Sequence, residues 1–275
     1  MMPELPEVHT VCVSLRKNVV GRRVEDVNVL DARLRWPVQP DALSRLVSGQ
    51  IIEEVGRRAK YILLGLENGA TVLIHLGMSG RIGLYSREVP RQKHDHVVFA
   101  VEGEQELRFN DARRFGMIEV VERGQLTTHP RLSHLGCEPL SDEFNGETLH
   151  RLSRGCRVAI KNFIMDARRV VGVGNIYASE ALFDAGINPR VHAGRLSLKR
   201  CERLAETVKT TLQRAIDQGG TTIRDFEDLD GSAGYFAKQL QVYGREGLPC
   251  FRCAREVRRL LQGGRTTFYC TACQR

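Results

Sequence analysis

Four cysteines near the carboxyl end restrict this chain more than any other feature: Cys250-x2-Cys253 and, sixteen residues later, Cys270-x2-Cys273. Each C-x2-C pair has the spacing of a tight knuckle that presents two thiolates to one ion, and two knuckles supply the four ligands of a tetrahedral zinc site. Between them, 257–261 and 266–269 predict two strands with Gly263-Gly264 as the turn, which sets Arg265 beside the hairpin tip. Four thiolates leave zinc no open position, so one structural Zn2+ is expected. A disulfide framework is the competing reading, but nothing else in the chain points to export. Cys12, Cys137, Cys156 and Cys201 are scattered singly and read as reduced, inert thiols.

Upstream of this zinc ribbon the chain changes character once. From 24 to about 121 it runs in short β-branched stretches (61–66, 71–76, 96–101, 117–121) separated by Gly, Asn and Asp turns, which predicts a β-sandwich. A helix over 7–18 precedes it, with Pro6 at the first helical position and Glu7 at the positive end of the dipole. After Gly136-Cys137-Glu138-Pro139 the apolar spacing becomes helical over 147–154, 159–166, 175–185 and 197–217, and Gly219-Gly220 ends the longest run. The expected architecture is α+β and multidomain: a β-sandwich with a flanking helix over 1–136, a helical domain over 137–234 and the zinc ribbon over 235–275.

Charge narrows the partner. The formal net charge is +8, and five of those charges fall in 241–275, where seven arginines face Glu246 and Glu256. Four zinc-bound thiolates would lower that excess to about +3. A basic tail suits an acidic partner, although a solvated charged face has the same composition. No apolar run approaches the roughly 18 residues that span a bilayer, and the first twenty residues lack a signal-peptide pattern, so a cytosolic or nucleoid protein is expected.

The amino terminus, Pro3-Glu4-Leu5-Pro6-Glu7-Val8, resembles that of the formamidopyrimidine-DNA glycosylases, bacterial enzymes that remove 8-oxoguanine and cleave abasic sites. The resemblance continues in order through Arg57-Arg58-Ala59-Lys60-Tyr61, His75-Leu76-Gly77-Met78-Ser79-Gly80, Lys93-His94-Asp95-His96, Arg113-Arg114-Phe115-Gly116, Gly172-Val173-Gly174-Asn175-Ile176-Tyr177-Ala178 and the cysteine tail. It implies a helix-two-turn-helix fold for the middle domain, and a monomer that acts on duplex DNA containing oxidised purines or abasic sites.

Elementary chemistry gives that resemblance a reason. An α-amino group titrates near about 8, so part of it is nucleophilic at neutral pH, whereas lysine near about 10.4 must first be perturbed. Proline's amine is secondary, so attack on C1′ of the sugar ends in a cationic iminium that acidifies the C2′ hydrogens and permits β-elimination. The resemblance further implies Glu4 as the acid that protonates the ring oxygen, Lys60 as an aid to base release and elimination, and Arg265 in the δ-elimination. A plain phosphate contact is the simpler reading of Lys60 and of Arg265. An amide nitrogen cannot attack, and Met1 before Met2 is a poor substrate for methionine removal. A free amine at Pro3 therefore requires translation to begin at Met2.

A flipped nucleotide leaves a vacancy in the stack. The resemblance assigns its filling to Met78, Arg113 and Phe115, though Met78 or Phe115 alone reads as core. His94 resembles a DNA contact. A metal at His94 and His96 lacks an evident third ligand, because alternating residues leave only Asp95 between them. Asn175 follows a glycine turn at a helix start, where phosphate is favoured, and Arg157 with Lys161 adds phosphate contacts. The loop 221–235 stands where the family caps a flipped 8-oxopurine, and an idle surface loop has the same composition.

His9, Ala112, Cys137, Cys156 and Asn162 depart from residues common in the family, Glu for the first and Pro for Ala112, Cys137 and Asn162. None touches the expected nucleophile or acid. Two other readings remain: an endonuclease VIII type enzyme for oxidised pyrimidines, which the Leu5-Pro6 terminus and full 221–235 loop disfavour, and a damage-binding protein without catalysis.

Overall fold

A computed structural model describes residues 3–220 and 239–275. The loop expected to cap a flipped base and the residues before Pro3 lie outside them.

The first unit, residues 3–133, opens with helix α1 (Leu5–Val19) and contains two four-stranded antiparallel sheets. One has the order β2 (Ile52–Arg58), β3 (Tyr61–Leu66), β4 (Thr71–His75), β8 (Met117–Val121). The other has the order β1 (Val24–Val29), β6 (Asp95–Val101), β7 (Gln105–Asn110), β5 (Arg81–Ser86). Period-two burial shows why the sheets pack: Ile62, Leu64 and Leu66 of β3 point inward, while Tyr61, Leu63 and Gly65 are half-buried. Val8, Val11, Cys12, Leu15 and Val19 of α1 join residues of both sheets in one core. The sandwich expectation holds, with one addition. Helix α2 (Pro40–Val47) lies between β1 and β2 and buries only Leu43 and Val47, too short a repeat to stand out in the sequence.

Two registers position the site. Tyr61, His75 and Met117 stand side by side at one end of the first sheet, and Arg81, Asn110 and Asp95 stand side by side at one end of the second. The β4–β5 and β7–β8 connections each join these two ends, so 76–80 and 111–116 cross between the sheets there.

The second unit comprises 134–220 and 239–275. Its helices are α3 (Gly146–Ser153), α4 (Ile160–Ile164), α5 (Asn175–Asp184) and α6 (Leu198–Asp217), followed by the hairpin β9 (Arg258–Gln262) and β10 (Arg265–Tyr269). Gly263 and Gly264, at φ +57° and +72°, form the turn, a backbone that L side chains adopt only with strain. The cysteine segment shares a core with the helices: Phe183 of α5 packs with Val242, Cys250, Val257 and Cys270.

Candidate active site and nucleic-acid interface

Pro3 and Glu4 are buried ahead of α1. The helix begins at Leu5, earlier than its apolar pattern suggests, because Glu4 is its N-cap. The Glu4 carboxylate accepts from the Glu7 backbone N–H, and the Glu7 carboxylate accepts from the Glu4 N–H at 2.8 Å. This reciprocal pair holds the backbone next to Pro3 in one conformation. Helix α1 lies along β2 in a readable direction. Arg16 donates to the Val55 carbonyl and the Cys12 thiol to the Gly56 carbonyl, while burial and then the Arg57 charge depress His9. As α1 runs back toward Pro3, its neighbours on β2 advance toward the β2–β3 turn.

Lys60 sits in that turn, after Ala59 at φ +54°, a left-handed conformation that is costly for a residue with a Cβ. Arg57 donates to the Ala59 carbonyl at 2.7 Å and braces it. Across the sheet, His75 lies 4.9 Å from the Tyr61 ring and accepts the Gly77 N–H on Nδ1 at 3.0 Å. Burial first, then the charges of Lys60 and Arg35, push His75 down to about 4, so its imidazole is neutral at physiological pH. His75 draws no role from the sequence, and it is the strand pairing that sets it beside Tyr61, within reach of the Lys60 charge. Cys12 is pushed up to about 12, chiefly by burial, in keeping with an inert thiol.

Met78 occupies the β4–β5 connection, and Arg113 and Phe115 the β7–β8 connection. Arg113 is exposed, Phe115 is 40% exposed and Met78 is half-buried. The Arg113 guanidinium lies 4.8 Å from the Phe115 ring centroid. Gly77, at φ +64°, has no room for a side chain: a Cβ there would lie 2.4 Å from the Phe115 carbonyl. The two connections are in backbone contact. Between Arg113 and Phe115, Arg114 is left-handed at φ +58° and its guanidinium pairs with Asp31 at 2.6 Å. His94 precedes β6. His96 is buried and donates from Nε2 to the Asp111 carbonyl at 2.8 Å, which commits it to the backbone.

In the second unit Arg157 is exposed, whereas Lys161 is 1% exposed. The Lys161 ammonium donates to Asn175 Oδ1 at 2.5 Å and Thr267 Oγ1 at 2.7 Å, and Asn175 Nδ2 donates to the Thr266 carbonyl at 2.9 Å. Lys161 and Asn175 thus hold β10, the strand that begins with the exposed Arg265.

The sulfurs of Cys250, Cys253, Cys270 and Cys273 all lie within 4.8 Å of one another, and they are the only metal-holding group among the described residues. Pairs at 3.9 Å and 3.5 Å bracket the roughly 3.8 Å edge of a tetrahedron with metal–sulfur bonds of about 2.3 Å, and are far beyond the roughly 2.05 Å of a disulfide. The four cysteines are positioned to bind a metal ion, and the disulfide reading falls. Gln274 braces the second knuckle, accepting the Cys270 N–H at 2.8 Å and donating to the Ile187 carbonyl at 2.9 Å.

Comparison with known proteins agrees with this geometry. Residues 2–118 match the formamidopyrimidine-DNA glycosylase N-terminal domain, and residues 135–227 match the formamidopyrimidine-DNA glycosylase H2TH domain. The chain is 50% identical over 274 residues to a formamidopyrimidine-DNA glycosylase of Thioalkalivibrio sulfidiphilus and 48% identical to one of Hahella chejuensis, each covering all of both chains. Among solved structures it is similar to the MutM (Fpg) protein of Thermus thermophilus, at TM-score 0.88 and 38% identity over 99% of this chain and 98% of that one. It is also similar to Lactococcus lactis Fpg in complex with abasic-site DNA, at TM-score 0.91 and 31% identity over 98% and 99%.

Proposed function

The chain belongs to the formamidopyrimidine-DNA glycosylase family, and from that premise we propose that its chemistry runs on the secondary amine of Pro3, with Glu4, Lys60 and Arg265 completing the reaction. The activity is that of a DNA glycosylase and abasic-site lyase in base excision repair of oxidised purines, on duplex DNA that carries the lesion or an abasic site. The observation that supports joining Pro3 to Lys60 is the direction of α1: its hydrogen bonds to Val55 and Gly56, and then the Arg57 charge felt by His9, advance toward the Lys60 turn as the helix approaches Pro3.

In this reading the Pro3 nitrogen attacks C1′, the glycosidic bond breaks, and its electrons leave with the base, which takes up a proton. Glu4 gives a proton to the ring oxygen as the sugar opens, which leaves the iminium. Lys60, at the turn beside neutral His75, assists base release and then removal of a C2′ hydrogen, whose electrons expel the 3′ phosphate. Arg265 attends departure of the second phosphate, and water releases Pro3. Met78, Arg113 and Phe115 fill the vacated stack. His94, Arg157 and Asn175 hold the backbone, Asn175 being oriented by Lys161. One Zn2+ on the four cysteines supplies structure only, since four thiolates complete its shell. Among the described residues no helix is long and apolar enough to cross a membrane, and we place the working protein with the DNA of a bacterial nucleoid.

Borohydride trapping tests the proposal on protein shown by mass spectrometry to begin at Pro3. A covalent adduct with 8-oxoguanine duplex is expected, and none when a residue precedes Pro3. A preparation with verified Pro3 and bound zinc that neither traps nor nicks lesion DNA reduces the chain to a damage-binding protein. Stronger trapping on thymine glycol than on 8-oxoguanine makes it an oxidised-pyrimidine enzyme.

A further inference from the structure

Asp111 is fully buried and its contacts radiate to every segment of the first unit that carries an expected DNA contact. Its Oδ1 accepts the Ser79 hydroxyl at 2.5 Å and the Arg113 N–H at 3.3 Å, and its Oδ2 accepts the Gly116 N–H at 2.7 Å. Ser79 Oγ in turn accepts the Arg113 N–H at 3.2 Å. The Asp111 N–H donates to the His94 carbonyl at 3.0 Å, and its carbonyl accepts from His96. One carboxylate therefore bonds the residue after Met78, the backbone of Arg113 and the residue after Phe115, and its main chain bonds the residue that bears His94.

We propose that Asp111 is a positioning residue for base extraction: it locks the Met78 turn and the Arg113–Phe115 turn into one rigid wedge, so that the side chains enter the vacated stack together. The inference rests on the reading of Met78, Arg113 and Phe115 as void fillers. A flipped base returns unless the gap is filled while it is open, and a turn that had to be ordered during insertion would spend binding energy on its own entropy. Hydrogen bonds to a buried carboxylate meet that cost in folding, and they are charge-assisted. Gly77 against the Phe115 backbone supplies the second coupling, through shape alone.

The test uses full-length zinc-loaded protein with Pro3 verified as its first residue. Asp111→Ala, Asp111→Asn and Ser79→Ala are each measured on an 8-oxoguanine duplex and on a single-stranded abasic oligonucleotide, which has no stack to fill. Asp111→Ala is expected to lower kcat/KM on the duplex by at least tenfold and Ser79→Ala by about threefold, with Asp111→Asn between them. Cleavage of the single strand should change by less than twofold for all three. Adding Asp111→Asn to Met78→Ala/Phe115→Ala should cost less than twofold more on the duplex, since Asp111 acts through those side chains. Equal losses on both substrates, or a full multiplicative loss on the truncated background, overturn the inference while the void-filling reading stands. If the double truncation by itself costs nothing on the duplex, the inference falls together with that reading. Should Asp111→Ala fail to fold, Ser79→Ala and Asp111→Asn decide the matter, because both keep the core filled.

Discussion

Lys161 of α4 donates to the hydroxyl of Thr267 in β10 at 2.7 Å, and both residues are buried. The bond joins the helical segment to the β9–β10 hairpin across 106 positions of sequence. With Asn175 Oδ1 and the Thr266 carbonyl on the same ammonium, one cation sets both the asparagine that opens α5 and the strand that bears Arg265.

Lys161→Met keeps most of the aliphatic stem but strands those oxygens. Each lost bond to a charged donor is worth about 1.5–3 kcal/mol, and partial rehydration recovers some of it, so a net destabilisation of about 2–3 kcal/mol is expected in urea unfolding. Weaker binding of an abasic-site duplex should accompany it. Unchanged stability would show that the tether carries no weight.

Metal analysis should return one zinc per chain. Chelation or Cys270→Ser is expected to unfold the hairpin, because binding energies on the order of 10 kcal/mol in structural zinc sites are folding energies. Duplex affinity should fall at least tenfold as Thr266 and Thr267 leave Lys161 and Asn175. A hairpin that keeps its amide protection without metal contradicts a structural ion.

His75 makes stability depend on pH in a predictable direction. Its folded value of about 4 lies below the 6.5 of an unperturbed histidine, so between these values the unfolded chain binds more protons. Unfolding free energy should therefore rise with pH across that window and fall on acidification from 6.5 toward 4. His75→Asn, which keeps an acceptor for the Gly77 N–H, should flatten this dependence. An NMR titration that places His75 near 6.5 refutes the assignment.

Glu180 is buried on α5 and accepts three consecutive backbone N–H groups, from Gln241 at 2.7 Å, Val242 at 3.0 Å and Tyr243 at 2.8 Å. Burial raises its pKa, opposed by those three donors. In Glu180→Gln the amide nitrogen must face at least one of these N–H groups, at a cost of about 1–3 kcal/mol. Hydrogen exchange is expected to accelerate at 241–243 ahead of the rest of the unit. Uniform protection in the variant would count against this anchor.

Much of the architecture was legible because it is written in local spacing. The four helices of the second unit begin and end within two residues of their apolar patterns, and the hairpin forms around Gly263-Gly264 as its turn chemistry dictates. The start of α1 was less legible. Its cap is a glutamate working through a reciprocal bond rather than one of the commoner N-cap residues. Lys161 reads in the sequence as a phosphate contact, and its burial is not legible there because α4 is only five residues long, too short to display a buried face.

What the amino-acid order determined by itself is chemistry confined to neighbours along the chain: a proline beside a glutamate, two cysteine knuckles, glycines where a turn requires them. These depend on bond geometry and a few dihedral angles, which adjacent residues set. The neutral state of His75, the burial of Lys161 and the convergence of Ser79, His94, Arg113 and Gly116 on Asp111 depend instead on strand register and on chain paths tens of residues long. Only the folded chain brings those groups within hydrogen-bond reach and excludes the water that would otherwise screen them.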